Sequence, residues 1–145
     1  MFFTGFYENS IDTKNRMIIP AKHRIQLGAE CVLTSGYDCC LYIYAMEDWM
    51  ELASKMKTLR QSDPEIRKFI RDTFSKATEC KIDSQGRILI PQGLKDFAKI
   101  DKELVTLGAM DKIEIWSKEV YEAMQGDENL MDNQAFVDKL AEYGL

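Results

Sequence analysis

The sequence has no apolar run that approaches the roughly 18 to 20 residues needed to cross a bilayer, which argues against a membrane-spanning helix. Its first residues lack the basic stretch, the long apolar core and the small-residue cleavage site of a secretory signal. The content of hydrophobic residues, 46%, is typical of a soluble globular protein. We therefore expect a cytoplasmic protein that has no membrane partner.

Histidine is nearly absent, and so are the motifs of common catalytic sites. The single histidine is His23, and no serine or cysteine lies in a recognisable nucleophile motif. The acidic residues do not show metal-ligand spacing, and no glycine-rich loop has the Walker or dinucleotide-binding pattern. The sequence therefore predicts that the protein is not an enzyme and that it uses neither a cofactor nor a metal.

The four cysteines, Cys31, Cys39, Cys40 and Cys80, form neither a CxxC motif nor the spacing pattern of a disulfide framework. We interpret them as reduced thiols that mostly serve as packing groups. The alternative is that the vicinal pair Cys39 and Cys40 acts as a redox sensor.

The net charge of −5 would be unusual for a nucleic-acid-binding protein, but it is unevenly distributed. Residues 117–145 contain seven acidic and two basic residues, whereas residues 1–116 contain 17 of each kind. The segment 14–24 has no acidic residue and four basic ones: Lys14, Arg16, Lys22 and Arg24. Such a segment can attract an anionic partner through its local field, or it can be an ordinary solvated face. Charge alone leaves both interpretations open.

The chain contains an internal repeat. The decapeptide IDTKNRMIIP at residues 11–20 returns at residues 82–91 as IDSQGRILIP. The repeat continues with LYIY at residues 41–44, which corresponds to IEIW at residues 113–116. A repeat of this length, with its order kept, indicates one folding unit that is duplicated in a single polypeptide. In a chain of 145 residues, we expect the two copies to share one core.

Each decapeptide predicts a strand, a tight turn and a second strand. The turn requires a residue that tolerates positive φ, which is Asn15 in the first copy and Gly86 in the second. Asp12 and Asp83 can accept hydrogen bonds from backbone amides across these turns, so we predict a structural role for both. Three consecutive apolar residues follow each motif arginine without alternation, which predicts a strand buried on both faces.

The rest of each copy is predicted to contain a short helix and a hairpin. The helices are expected at residues 21–27 and 92–99, each directly after a proline. Helical spacing of apolar residues predicts two further helices between the copies, the second of which begins with a capping-box pattern at residues 62–65. We expect them to pack on the barrels or on a neighbouring subunit; the alternative is that they read nucleic acid. A last short helix is expected around Phe136, Val137, Leu140 and Tyr143.

The predicted fold class is α+β, mainly β with helices. The proposed boundaries are a first repeat at residues 5–49, linker helices at 50–76, a second repeat at 77–121 and an acidic C-terminal tail at 122–145.

The doubled motif resembles the MraZ family, the tandem-repeat branch of the AbrB-like swapped-hairpin transcription factors. The resemblance extends over roughly residues 2–121 and rests on DTKNR and DSQGR, each followed by the pattern apolar-x-Ile-Pro. It implies two swapped-hairpin repeats that form a pseudo-twofold β-barrel. It also implies a bacterial, nucleoid-associated DNA-binding regulator that acts mainly as a repressor at direct repeats in the promoter of the division and cell-wall gene cluster. The family assembles into ring-shaped homo-oligomers.

The resemblance also implies which residues contact double-stranded DNA. The family's contacts are attributed to the arginine of each motif and the neighbouring turn residues, which correspond here to Lys14, Asn15, Arg16, Gln85, Gly86 and Arg87. Lys22 and Arg24 are added because they belong to the same basic segment. Asn15 stands where the family pattern has glycine.

The chemistry of arginine and the shape of the ribbon agree with this assignment, although an alternative role for the arginines stays open. Arginine can bind phosphate and the paired acceptors of guanine, and a two-stranded ribbon fits the major groove. Because basic residues are denser in the first copy, we expect Arg16→Ala to weaken DNA binding more than Arg87→Ala. In the alternative, the two arginines only pair with the aspartates of their own turns.

Two other functions remain open from the sequence. One is a non-catalytic scaffold that forms a ring and does not bind DNA. The other is an antitoxin-like interaction protein that neutralises a partner through the tail from residue 125 onward.

Overall fold

The computed structural model describes residues 2–126 and 129–145. The first half of the chain forms β1 (Phe6–Ser10), β2 (Arg16–Ile18), α1 (Ala21–Leu27), β3 (Glu30–Ser35), β4 (Leu41–Ala45), α2 (Met46–Met56) and α3 (Pro64–Lys76). The second half forms β5 (Thr78–Lys81), β6 (Arg87–Leu89), α4 (Gln92–Phe97), β7 (Glu103–Gly108), β8 (Ile113–Ser117), α5 (Lys118–Gln125), a short 3-10 helix (Leu130–Asp132) and α6 (Gln134–Glu142). The fold is therefore a mixture of α and β structure, as predicted, and both halves follow the same order of elements.

The two repeats exchange their first strands. Strand β1 pairs antiparallel with β7 of the second repeat, and β5 pairs antiparallel with β3 of the first. Strands β4 and β8 pair with each other at the centre of the sheet. The resulting six-stranded sheet has the order β1-β7-β8-β4-β3-β5. Each repeat therefore relies on the other to complete its part of the sheet.

Strands β2 and β6 form a second, two-stranded sheet, which we call the ribbon. One strand comes from each repeat, and Met17 lies opposite Ile88 in the antiparallel register. In the described residues, the outer strands of the large sheet, β1 and β5, do not pair with each other, so this sheet is open. The closed barrel remains a prediction.

The main hydrophobic core joins the ribbon to the large sheet. Met17 and Ile88 of the ribbon belong to the same buried cluster as Ile43 and Ile115 at the centre of the large sheet. Removal of these apolar side chains from water is the principal force that holds the two sheets together. The shared core confirms that the two copies do not fold around separate interiors.

The ribbon strands are not buried on both faces, and here the sequence prediction is wrong. Met17 and Ile19 are buried, but Ile18 between them is 54% exposed. Leu89, at the equivalent position of the second repeat, is 57% exposed. The ribbon covers the core with only one face, so the side chains alternate between interior and solvent as in any half-buried strand.

Helices α2 and α3 pack on the large sheet through aromatic side chains, so the expected packing against the chain's own strands is observed, but on an open sheet. The ring of Trp49 lies 5.8 Å from that of Tyr44 and 5.2 Å from that of Phe74, measured between centroids. The hydroxyl of Thr34 donates a hydrogen bond to the carbonyl of Thr73 at 3.2 Å. These contacts attach both helices to strands β3 and β4.

Most signals at the helix ends are correct, but α4 ends at Phe97 and not at the predicted residue 99. Helix α1 begins directly after Pro20 and ends before Gly28, which has a φ of 78°. Helix α3 is capped by Asp63, whose side chain accepts a hydrogen bond from the amide of Glu65 at 2.9 Å. The predicted capping box with Ser62 as the cap is therefore wrong, because the neighbouring aspartate supplies the acceptor.

The predicted C-terminal helix is confirmed as α6. Phe136, Val137 and Leu140 are half-buried, whereas Tyr143 follows the helix and is exposed. Two of the acidic residues that the sequence assigns to the tail, Asp127 and Glu128, lie outside the described residues. Within the residues that the structure describes, no helix has both the length and the apolar character that crossing a membrane requires.

Candidate nucleic-acid interface

Each decapeptide forms a tight turn that is held by its aspartate. Oδ1 of Asp12 accepts hydrogen bonds from the backbone amides of Lys14 and Arg16, both at 2.9 Å. Oδ1 of Asp83 accepts the two equivalent hydrogen bonds in the second turn, also at 2.9 Å. Both aspartates therefore accept the backbone hydrogen bonds across the turn that the sequence predicts for them.

The turn residues adopt the predicted backbone conformation. Asn15 has a φ of 61° and Gly86 a φ of 77°, both in the left-handed region. The carbonyls of these two residues also connect the repeats, because Gly86 accepts a hydrogen bond from the amide of Ile19 at 2.9 Å and Asn15 accepts one from Ile90 at 2.8 Å. Each turn is thus fixed to the opposite repeat.

The two motif arginines are ion-paired within their turns. Nε of Arg16 lies 2.9 Å from Oδ2 of Asp12, and Nε of Arg87 lies 2.8 Å from Oδ2 of Asp83. Among the described residues, the terminal Nη nitrogens of neither arginine have a hydrogen-bond partner. The pairing therefore orients each guanidinium through one nitrogen and leaves the other two available to a ligand. The structural role proposed as an alternative is compatible with a binding role.

These hydrogen bonds also change the acidity of the aspartates. The backbone amide of Arg16 and, after it, the guanidinium of that residue hold the pKa of Asp12 below its usual value of 3.8. The pKa of Asp83 is lowered in the same way by Arg87. Both carboxylates are therefore ionised at neutral pH, and the turns are assembled from charged partners.

Each turn is covered by the first helix of the other repeat. Arg24, in α1, places its guanidinium against Gly86, so close that a Cβ added there would overlap with Nη1. Lys95, at the equivalent position of α4, donates from Nζ to Oδ1 of Asn15 at 3.1 Å. Nδ2 of Asn15 in turn donates to Gln92 at 3.2 Å. Glycine thus accommodates an arginine in one turn, and asparagine binds a lysine in the other.

The strand exchange redistributes the basic residues that the sequence grouped together. Lys14 and Arg16 remain at the first turn, where Lys95 joins them, but Arg24 lies at the second turn near Arg87. From the sequence, Arg24 is expected to lie with the basic residues of the first copy. That expectation is wrong, because the exchange of strands places Arg24 at the second turn, away from Lys14 and Arg16 at the first.

Lys22 and His23 have a different role near the start of the chain. Nζ of Lys22 donates to the hydroxyl of Thr4 at 2.9 Å. The buried His23 donates from Nε2 to the carbonyl of Thr4 at 2.6 Å. Both side chains hold the segment that precedes β1, so Lys22 is not brought together with the motif arginines by any contact of the described residues.

The outer face of the ribbon carries two residues that sequence reasoning missed. Arg16 lies opposite Leu89, and Ile18 lies opposite Arg87, in the antiparallel register. Because Met17 and Ile88 point into the core, these four residues share the outer face. The i, i+2 spacing of each aliphatic residue from its motif arginine was the signal that could have identified them.

The remaining candidates for chemistry are not arranged as a reactive site. Burial raises the pKa of both Cys31 and Cys40 to about 12, whereas Cys39 is exposed. Within residues 2–126 and 129–145, no three histidine, cysteine, aspartate or glutamate side chains are grouped as metal ligands.

Comparison with known proteins shows a twofold match to one family. The family model described as "MraZ protein, putative antitoxin-like" matches residues 2–72 and again residues 73–139. The second match includes α5 and most of α6, so the family unit comprises the helices as well as the strands.

Similar proteins match over most or nearly all of the chain. The sequence is 41% identical over 143 residues to the transcriptional regulator MraZ of Acetivibrio thermocellus, with 99% of each chain covered. It is 46% identical over 143 residues to the protein of the same name from Clostridium tetani, again with 99% of each chain covered. The regulator from Thermoanaerobacter sp. (strain X514) is 49% identical over 118 residues, which cover 81% of this chain and 82% of the relative. The duplicated turn, the strand exchange and these matches agree, and the chain belongs to the MraZ family.

Proposed function

We propose that the protein is a sequence-specific, DNA-binding transcriptional regulator that binds duplex DNA through the ribbon and its two turns. The observation that carries this proposal is the position and the hydrogen bonding of the two motif arginines. Both lie on the outer face of one ribbon, both are oriented through Nε, and both keep their Nη nitrogens without a hydrogen-bond partner in the described residues. The relatives are named transcriptional regulators, and these names support the same function.

The geometry suits a duplex. A two-stranded antiparallel ribbon has the width of the major groove, and an oriented guanidinium can bind either phosphate or the O6 and N7 acceptors of guanine. Lys14 in the first turn, Lys95 beside it and Arg24 at the second turn add positive charge at both ends of the ribbon. We assign these lysines and Arg24 to the DNA backbone, and we keep Asn15 and Gln85 as turn residues in contact with DNA. Gly86 is buried beneath Arg24, so we assign it the shaping of the second turn and not a direct contact.

We further propose that the regulator is mainly a repressor of the division and cell-wall gene cluster. In this proposal it is associated with the nucleoid and binds direct repeats as a ring-shaped homo-oligomer. Membership of the family supports these points. A ring offers a physical advantage, since a subunit with few cationic contacts gains affinity when several subunits bind evenly spaced repeats at once.

The test is binding to the DNA upstream of the protein's own gene. Footprinting on that fragment should show protection at short repeats, and random DNA of the same length should bind more weakly at the same salt concentration. Arg87→Ala should reduce the affinity, whereas Lys57→Ala, which removes an exposed cation at the end of α2, should not. Equal affinity for both DNAs would contradict sequence-specific regulation and favour the scaffold.

An antitoxin-like interaction protein is the second candidate, because the family description contains that term. In that case, the residues beyond α5 would bind the partner. A truncation after Gln125 that leaves repression of a promoter fusion intact would argue against this role.

A further inference from the structure

The outer face of the ribbon combines two cations with two exposed aliphatic side chains. Ile18 is 54% exposed and Leu89 is 57% exposed, although both stand in the middle of apolar triplets. Each faces a motif arginine across the ribbon, so the pairs are Arg16 with Leu89 and Ile18 with Arg87. The same combination therefore occurs twice, once at each end of the ribbon.

We propose that Ile18 and Leu89 determine sequence specificity by contacting thymine methyl groups in the major groove, next to the bases or phosphates bound by the arginines. This inference rests on the proposed function, because it concerns how the ribbon reads DNA. The C5 methyl of thymine is the one apolar group on the base edges of that groove, and apolar side chains are its usual partners. An exposed branched side chain is costly in water and is stabilised when it covers such a methyl.

The spacing of the four side chains fits this role. Residues that face each other in an antiparallel pair have Cβ atoms about 4.5 to 5.5 Å apart. Successive bases of one strand are about 3.4 Å apart along the helix axis. An arginine and the aliphatic residue opposite it can therefore reach neighbouring base pairs, and each end of the ribbon reads one polar and one apolar position.

A second copy of this chain is a less suitable occupant of the same face. An isologous contact would bring Arg16 and Arg87 of both copies together at one interface. Four guanidinium groups would then lose water without gaining new acceptors, which is unfavourable. Duplex DNA neutralises the positive charge of the two arginines with its phosphates and also offers apolar thymine methyl groups.

The experiment removes the methyl groups from the DNA and the aliphatic side chains from the protein. The fragment upstream of the protein's own gene is amplified once with dTTP and ordinary primers, and once with dUTP and primers in which uracil replaces thymine. The second product keeps base pairing but lacks the thymine methyl groups. Fluorescence anisotropy titrations then compare the wild-type chain with Ile18→Ala, Leu89→Ala and the double variant on both DNAs. Ile25→Ala is the matched control, because Ile25 is an aliphatic residue that is 83% exposed but lies on α1.

We expect the wild-type chain to bind the uracil DNA about fourfold more weakly for each methyl that its side chains cover. The double variant should bind thymine DNA more weakly than the wild type and should lose little or nothing further on uracil DNA. Each single variant should lose part of the sensitivity, and Ile25→Ala should keep all of it. Because both side chains are exposed, the variants should unfold at the wild-type temperature, which circular dichroism can verify.

Two results would overturn the proposal. In the first, the wild-type chain binds both DNAs equally well. In the second, the double variant remains as sensitive to uracil as the wild type; if its oligomeric mass in light scattering has changed as well, the face belongs to a protein interface. If the wild-type chain binds neither DNA, the proposed function itself fails, and this outcome is distinct from the other two.

Discussion

The guanidinium of Arg24 packs against the turn glycine Gly86, although the two residues belong to different repeats. At the equivalent place in the other half, Lys95 donates a hydrogen bond to Asn15. Equivalent positions of the two halves are therefore in contact in both turns, but the residue pairs differ. The duplicated motif has asparagine at position 15, where a lysine covers the turn, and glycine at position 86, where an arginine covers it.

This relationship predicts that Gly86→Ala destabilises the protein for two reasons. A φ of 77° strains an alanine, and the added Cβ overlaps with the side chain of Arg24. We expect a loss of roughly 1 to 2 kcal/mol in the free energy of unfolding, measured by urea denaturation. In the Arg24→Ala background the same change should cost about 0.5 to 1 kcal/mol less, because only the backbone strain remains. Gly93→Ala is the control.

Gly93 lies in α4, and a Cβ added there would meet nothing within 4 Å apart from its chain neighbours and the backbone of its own helix. This substitution should be neutral or stabilise the protein by about 0.4 to 1 kcal/mol. Equal costs of Gly86→Ala in both backgrounds would show that Arg24 does not constrain the turn.

Substitution of either motif arginine is expected to weaken DNA binding. We expect Arg16→Ala to have the larger effect, but by a smaller margin than the sequence suggests, since Arg24 places its positive charge at the second turn, against Gly86. Each substitution that removes a phosphate contact should also reduce the slope of log K against log salt by about one unit. Anisotropy titrations at several salt concentrations measure both quantities. A larger effect of Arg87→Ala would reverse the proposed order of the two turns.

The turn aspartates predict a stability that depends on pH. The pKa of Asp83 is lowered in the folded protein, so the ionised form stabilises the turn above the unfolded value of 3.8, and this contribution is lost as the pH falls through the lower folded value. Asp83→Asn should therefore destabilise the protein at pH 7, and the difference from wild type should shrink below about pH 4. Thermal unfolding from pH 7 to pH 3 tests this. Asp101→Asn, which changes an exposed aspartate outside the turns, is the control variant.

Cysteine labelling should separate exposed from buried thiols. Iodoacetamide at pH 8 is expected to modify Cys39 first, because Cys31 and Cys40 are buried and their pKa is raised to about 12. Peptide mass spectrometry after short exposure gives the order. Rapid formation of a disulfide between Cys39 and Cys40 under mild peroxide would instead support the redox-sensor alternative.

The number of operator repeats should control affinity. If several subunits of a ring bind at once, fragments with one, two and three repeats should bind with increasing affinity. Gel-shift titrations at fixed salt provide the comparison, and a fragment with three repeats at altered spacing is the control. Equal affinities for all fragments would contradict binding by a multivalent ring.

Local features were predictable from the sequence because short-range chemistry determines them. The backbone of Asn15 and the hydrogen bonds of Asp12 follow from the turn itself, and both were predicted correctly. The exposure of Ile18 was not, because three apolar residues in a row do not reveal which one faces away from a core that another segment provides. The position of Arg24 depends on the pairing of strands from different repeats, and no local pattern contains that information.

The exchange of strands also has a consequence for folding. Ser10, at the end of β1, pairs with Glu103 in β7, so the first strand has no partner until most of the chain has been synthesised. Contacts between residues so distant in sequence form slowly during folding. Before they form, an unpaired strand edge can associate with other chains. The emerging polypeptide therefore passes through a stage at which the first repeat is complete in sequence but not in structure. Temperature and chaperone supply should affect the yield of this protein mainly at that stage.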